Sequence, residues 1–242
     1  MNVRKAIPMQ PRRFRVLVDT CLRNEAVSYE YNLASKRIVW GGCEVLLPNF
    51  AELKERCLRG KSRNDSCRIH AVLRRVAHLA ETGRIQLYDS VELMFEWMGR
   101  AGGPSLRRTE FDPFSNVRIS RVKAPVERTV VIGACDSKRD FETEKDRWLD
   151  TIQEPRFREL KAVINRKHWA DAFHLWTAEA NDLDCVLTFE NKVRNSLANQ
   201  KRVTSDVEIL SPIELASRFD PVYRLQRKVV SAVVKLFPKS GL

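Results

Sequence analysis

The sequence lacks any apolar run long enough to cross a bilayer. No stretch approaches the ~18 consecutive apolar residues that indicate a transmembrane helix. The N-terminus carries the basic residues Arg4 and Lys5, but Pro8, Gln10, Pro11, Arg12 and Arg13 follow where a signal peptide needs an apolar stretch. These absences predict a protein that is neither inserted into a membrane nor secreted.

The sequence also lacks the cysteine spacings of zinc sites and disulfide scaffolds. No C-x-x-C pair occurs, and six cysteines in 242 residues are too few for a disulfide framework. We therefore expect free thiols in a reducing cytoplasm. The cysteines are Cys21, Cys43, Cys57, Cys67, Cys135 and Cys185.

Acidic residues are outnumbered by basic ones. The chain has 43 Lys and Arg against 31 Asp and Glu, a formal net charge of +12. A hydrophobic fraction of 43% is enough for a folded core. A strongly basic surface attracts polyanions, so the charge favours nucleic acid or an acidic protein as the partner.

Apolar strand-like segments alternate with amphipathic helical ones along the chain. This order predicts an α/β fold, a three-layer α/β/α sandwich with a mainly parallel central sheet. The periodicity predicts strands at 14–20, 84–88, 128–135, 185–189 and 207–210, with helices at 64–83, 91–98, 140–152, 157–180 and from 211.

The remaining segments predict an arm, two insertions and a terminal helix around a domain at 13–220. Residues 1–12 form a basic arm, and 27–62 contain a hairpin insertion around Gly41 and Gly42. Residues 99–155 form a second insertion, which is loop-like over 99–127. We expect the basic helix at 221–242 to cover the sheet. The alternative roles for it are a nucleic-acid contact, a homodimer interface or a docking surface for a protein inhibitor.

Two predicted strands end directly on a carboxylate, at Asp19 and Glu190. Ligands of parallel sheets bind beyond the carboxyl ends of the strands, and a buried carboxylate there needs a partner or a metal. Because both strands end at one edge, the pair favours a site more than either acid alone. Glu96 and Asp171, on predicted helices, are further acids whose convergence on this edge is a hypothesis.

Four segments together resemble the PIN-domain ribonucleases. They are a first strand ending in Asp, a strand followed by a helix with an inward Glu, a helix beginning Asp-Ala, and a strand ending Thr-x-acid. In this sequence they are Val16–Thr20, Ser90–Glu96, Asp171–Leu175 and Asp184–Glu190, and Ile209–Leu215 is similar to the family's last strand and helix. The stretch 171–190 is the most specific part of the resemblance.

The resemblance implies a metal-dependent nuclease acting on RNA, or on single-stranded nucleic acid in general. It implies Asp19, Glu96 and Asp171 as ligands of Mg²⁺ or Mn²⁺ and Glu190 as the fourth acid. Thr20 and Thr188 are expected to support them with their hydroxyl groups. Carboxylate donors independently suit Mg²⁺ or Mn²⁺ better than Zn²⁺, and such a metal activates water for attack on a phosphodiester.

Two residues depart from the family pattern. Glu190 stands where most members have Asp, and Cys21 stands where many have Asn, which predicts a missing polar contact beside Asp19.

His168 and His174 flank Asp171 in an H-x-x-D-x-x-H spacing. For these two histidines, packing of the helix edge against the sheet is favoured over metal binding. The alternative functions are a non-catalytic nucleic-acid-binding protein and a toxin-type nuclease held by a protein inhibitor.

Overall fold

A five-stranded parallel sheet organises the chain. The computed structural model describes residues 12–26, 29–32, 36–40, 43–47, 50–53, 60–98, 113–128, 138–190 and 204–221. Its strands are β1 Phe14–Val18, β2 Tyr29–Asn32, β3 Lys36–Trp40, β4 Cys43–Leu47, β5 Phe50–Leu53, β6 Ile85–Ser90, β7 Ile119–Val122, β8 Cys185–Leu187 and β9 Glu208–Leu210. Its helices are α1 Thr20–Ala26, α2 Gly60–Glu81, α3 Val91–Met98, α4 Lys138–Thr151, α5 Pro155–Val163, α6 Trp169–Ala180 and α7 Pro212–Phe219, with a 3-10 turn at Arg166–His168.

The central sheet has the order β7-β6-β1-β8-β9, and every neighbouring pair is parallel. After β1, the chain adds β6 and β7 on one side and then returns to add β8 and β9 on the other. The order therefore reverses between β1 and β8. The crevice at such a reversal is where ligands bind in open parallel sheets.

Helices pack on both faces of the sheet, which confirms the predicted α/β fold. Successive side chains of a strand point to opposite faces. Val16 and Val18 of β1 accordingly belong to the core formed with α1, α2 and α7, whereas Leu17 belongs to the core formed with α4, α5 and α6.

Local capping explains several element boundaries. Gly83 adopts a positive φ of 70° just after α2, a conformation that glycine allows without strain. The Ser90 hydroxyl accepts a hydrogen bond from the Leu93 N–H at 3.3 Å and caps α3. Ser211 and Glu214 form a capping box at the start of α7.

Two sequence predictions about 99–180 are wrong. The loop-like segment 99–127 contributes β7, an edge strand that pairs with β6. The helix predicted over 157–180 is two helices, because Ile164 is extended and the Asn165 side chain accepts a hydrogen bond from the Lys167 N–H to start the 3-10 turn. The predicted helix at 140–152 is confirmed as α4.

The hairpin predicted around Gly41 and Gly42 is confirmed by the antiparallel pairing of β3 with β4. The predicted strand at 128–135 lies almost wholly outside the described residues, as do the N-terminal arm and the C-terminal helix beyond residue 221. Across the described ranges, no helix combines the length and apolar character needed to cross a bilayer.

Candidate active site

Asp19 lies at the boundary between β1 and β8. Its backbone N–H donates to the Leu187 carbonyl at 3.1 Å, which joins the two strand ends. The Thr188 hydroxyl donates to Asp19 Oδ2 at 2.6 Å. The side chain is only 8% exposed, so these contacts fix a buried carboxylate at the point where the strand order reverses.

Cys21 provides the polar contact that the sequence predicted to be missing. Its thiol donates to Asp19 Oδ2 at 2.9 Å, and its sulfur accepts the Phe189 N–H at 3.3 Å. Burial raises the pKa of this thiol, and the Asp19 charge raises it further. Cys21 is therefore a protonated hydrogen-bond donor to the acid.

Glu96 on α3 contacts three polar side chains of the site. It accepts from the Thr20 hydroxyl at 3.0 Å and from Lys145 Nζ at 3.0 Å, and His174 Nε2 lies 3.4 Å from Oε2. Burial alone would raise its pKa, but His174 and Lys145 outweigh burial and hold the pKa well below its usual range. Glu96 is therefore ionised.

His174 is the cationic partner of Glu96 on α6. Burial lowers its pKa, yet the Glu96 carboxylate, with smaller contributions from Asp19 and Asp171, raises it to about 9. The second ring nitrogen, Nδ1, is buried and has no hydrogen-bond partner among the residues that the structure describes. His174 is therefore an imidazolium at neutral pH.

Asp171 lies in the first turn of α6. Its Oδ2 lies 3.0 Å from His168 Nδ1. Burial is the main reason that its pKa rises to about 6; the charges of Asp19 and Glu96 add to the rise, and His174 opposes it. These charge effects indicate that three of the four predicted acids, Asp19, Glu96 and Asp171, lie near one another and near His174.

Glu190, the fourth predicted acid, lies at the rim. Its side chain is exposed, and its backbone N–H donates to the Thr188 hydroxyl at 3.0 Å. Within the described part of the chain, its carboxylate forms no hydrogen bond or ion pair. The Thr188 hydroxyl thus bonds the carboxylate of Asp19 but only the backbone N–H of Glu190.

Sequence reasoning missed Lys145 and Asp89. Lys145 lies on α4, in the segment assigned to an insertion, so only the folded chain reveals its contact with Glu96. Asp89 occupies the carboxyl end of β6 and carried the same signal as Asp19, an acid ending a strand. Arg23 and Arg121 each bond one of its carboxylate oxygens at 3.2 Å, so this acid is neutralised by arginines.

The donor set fits a hard divalent cation. Across the described ranges, no three His, Cys, Asp or Glu side chains form a ready-made metal cage. Mg²⁺, however, usually binds one or two carboxylates and keeps its remaining positions for water and substrate phosphate. Among the described residues, Asp19 Oδ1 accepts only a long 3.4 Å contact from the Cys21 N–H, and Asp171 bonds His168 through Oδ2 alone, which leaves carboxylate oxygens for such an ion.

The two histidines do not converge as the H-x-x-D-x-x-H spacing would require for a shared metal. His168 bonds Asp171, whereas His174 lies against Glu96. This arrangement agrees with the favoured interpretation, in which these histidines are not ligands.

A cavity of about 630 Å³ lies at the opposite edge of the sheet, where β1, β8 and β9 begin. Most of its charged side chains already have partners. Arg12 donates to the Asp182 carbonyl, and Arg218 donates to Glu208. The acid cluster therefore remains the better candidate for chemistry.

Comparison with protein-family models found no family that matches this chain, and searches of curated proteins and of solved structures found no match either.

Proposed function

We propose that this chain is a Mg²⁺- or Mn²⁺-dependent ribonuclease of the PIN type that hydrolyses single-stranded RNA. The observation that supports the proposal is the proximity of Asp19, Glu96 and Asp171: Thr20, next to Asp19, donates to Glu96, and the charges of Asp19 and Glu96 act on Asp171. These acids come from β1, α3 and α6. The three acids are far apart in the sequence, so no local structure accounts for their proximity. Bringing carboxylates together costs free energy unless positive charge lies among them.

The roles of the residues follow from their contacts. Asp19 and Asp171 would hold the cation with Glu96 beside them, and the hydroxyls of Thr188 and Thr20 orient Asp19 and Glu96. When bound, the metal would supply an activated water and stabilise charge on the phosphate. Glu190, at the rim, is placed in this proposal near the substrate rather than on the ion.

The chain's charge supports a polyanionic substrate. A net charge of +12 draws an RNA backbone toward the protein despite the local acids. The free thiols of Cys21, Cys43, Cys67 and Cys185 agree with a reducing compartment, so the proposal includes a cytoplasmic location.

A cleavage assay tests the proposal. Labelled single-stranded RNA is incubated with wild type, Asp19→Asn and Asp171→Asn in Mn²⁺, Mg²⁺ or EDTA. Asp150→Asn is the matched control, since Asp150 is exposed and pairs with Arg166 on the surface. We expect metal-dependent cleavage that both site variants lose and the control keeps; cleavage that survives both site substitutions would contradict the proposal.

Two ion pairs of Glu96 favour a second candidate, a nucleic-acid-binding protein without catalysis. Lys145 and His174 already neutralise Glu96 without a metal. If wild type binds RNA in a salt-sensitive manner but cleaves none with either metal, and the acid variants bind equally well, this second function is the better one.

A further inference from the structure

Lys145 brings a buried ammonium group into the acid cluster. Its side chain is 17% exposed, and Nζ lies 3.0 Å from Glu96 Oε1. The charge of Glu96 raises the pKa of this ammonium even though burial alone would lower it. A full positive charge therefore lies against Glu96, the acid beside the proposed cation.

A second set of contacts holds Lys145 at this position. Arg128, with a side chain only 1% exposed, bonds Glu92 on α3 at 3.2 Å and Glu144 on α4 at 2.8 Å. Glu92 lies one turn before Glu96 on α3, and Glu144 immediately precedes Lys145 on α4. The Arg128 bridge thereby fixes the two helices in the register at which Lys145 meets Glu96.

Packing of α4 on the core supports the same register. Trp148 of α4 contacts the ring of Phe173 at 4.9 Å between centroids, and Leu149 is buried. Phe173 precedes His174, so α4 and α6 bring the two cations, Lys145 and His174, to the same carboxylate. Three helices supply this network, because Glu96 lies on α3, Lys145 on α4 and His174 on α6. Lys145 is therefore not a surface lysine that pairs by chance.

The chemistry of the proposed reaction calls for such a cation. A phosphodiester approaching three carboxylates is repelled unless positive groups face it, and ammonium groups stabilise the charge of a transferring phosphate. Lysine suits this role, because its compact ammonium on a flexible chain can leave one oxygen for another. A buried ion pair alone adds little to stability, so stability does not explain the pair.

We infer that Lys145 is a substrate-binding residue of the site, held by Glu96 in the free protein and transferred to a phosphate oxygen of the RNA when the substrate binds. The inference rests on the proposed nuclease function. It adds to the acids of that proposal a catalytic cation from α4, which the sequence resemblance did not include.

Three measurements on Lys145→Met test the inference: the dissociation constant of Mn²⁺ without RNA, the single-turnover rate of RNA cleavage, and the melting temperature. We expect Mn²⁺ to bind as tightly as in wild type or a few times more tightly, since a competitor for Glu96 is gone. The cleavage rate should fall by about 100- to 1,000-fold. Lys145→Arg, which keeps the charge, should recover part of this rate.

Lys161→Met is the matched control. Lys161 is also partly buried against α4, but its Nζ donates to backbone carbonyls, among them that of Leu149, and not to the acids. Its substitution should leave both Mn²⁺ binding and the cleavage rate close to wild type. Lys145→Gln, with a polar tip, replaces Lys145→Met if the latter does not fold, and the same expectations apply.

The results that overturn the inference are distinct from those that overturn the proposed function. Wild-type cleavage by Lys145→Met, with Asp19→Asn inactive, would refute the role of Lys145 and leave the nuclease intact. A parallel loss of Mn²⁺ affinity and rate in Lys145→Met would make the lysine a support for Glu96 only. A wild-type protein that neither binds Mn²⁺ nor cleaves RNA would remove the nuclease and this inference together.

Discussion

Replacing Glu96 by glutamine should lower the pKa of His174 sharply. The pKa of this buried imidazole rises from 6.5 to about 9, and the Glu96 carboxylate at 3.4 Å is the main group that raises it. Glutamine keeps the size of the side chain and removes its charge. Because burial opposes the rise, we expect the pKa in Glu96→Gln to fall by about two units or more.

The same substitution should change how stability depends on pH. A base whose pKa is higher in the folded protein than in the unfolded chain stabilises the fold fully below the unfolded value, here 6.5, and loses this contribution as the pH rises through about 9. A rise of this size corresponds to about 3 kcal/mol in the free energy of unfolding. The stability difference between wild type and Glu96→Gln should therefore shrink by up to that amount across this range.

Proton NMR of the histidine rings measures the pKa directly, since the chain has only four histidines. Urea unfolding at pH 6.5 and above pH 9 measures the stability. Glu81→Gln is the control, because it removes an acid that lies 4.0 Å from His78 on the exposed surface of α2, far from the cluster, and it should leave the titration of His174 unchanged. A His174 that titrates at the same pH in wild type and Glu96→Gln would refute the geometry of the cluster.

Three further predictions concern the acids and the helix bridge. A carboxylate must lose its proton before it binds a metal, and the pKa of Asp171 is about 6. The affinity for Mn²⁺ should therefore rise between about pH 5 and pH 7. An affinity that calorimetry finds to be the same across this range would exclude Asp171 as a ligand. Arg128→Met should lower the free energy of unfolding, measured in urea, by ~3–5 kcal/mol, because it leaves Glu92 buried without its partner. The control Arg218→Met, which removes an exposed ion pair, should lower it by less than ~1 kcal/mol. Equal losses in the two variants would contradict the structural role of the Arg128 bridge between α3 and α4. Thr188→Val should cost ~1–3 kcal/mol and weaken Mn²⁺ binding about tenfold, because Asp19 loses a 2.6 Å bond; unchanged values would exclude a positioning role.

The sequence predicts the end of β1 at Asp19 well, since local signals define it, whereas β8 ends at Leu187, three residues before Glu190. A β-branched run that stops at Asp19 indicates a buried parallel strand, and the Ser211–Pro212 start of α7 follows from capping chemistry. The sheet direction follows from the alternation of strands and helices. These features depend on neighbouring residues and need no knowledge of distant contacts.

Tertiary contacts account for what the sequence did not predict. β7 is a four-residue edge strand whose pairing with β6 depends on the finished sheet. The contact between Lys145 and Glu96 joins residues 49 positions apart and depends on the Arg128 bridge. Asp89 shows the reverse case, in which a strand-end acid gave a local signal but Arg23 and Arg121 satisfy it.

Titration of Mn²⁺ into the metal-free protein tests most directly whether the acids at the reversal of the strand order form a metal site. Calorimetry on wild type, Asp19→Asn, Asp171→Asn and the control Asp150→Asn gives the number of ions and the affinity. We predict one ion for each wild-type chain, with an affinity at least about tenfold weaker in both site variants and unchanged in the control. No Mn²⁺ binding by wild type, or equal binding by all four proteins, would contradict the account.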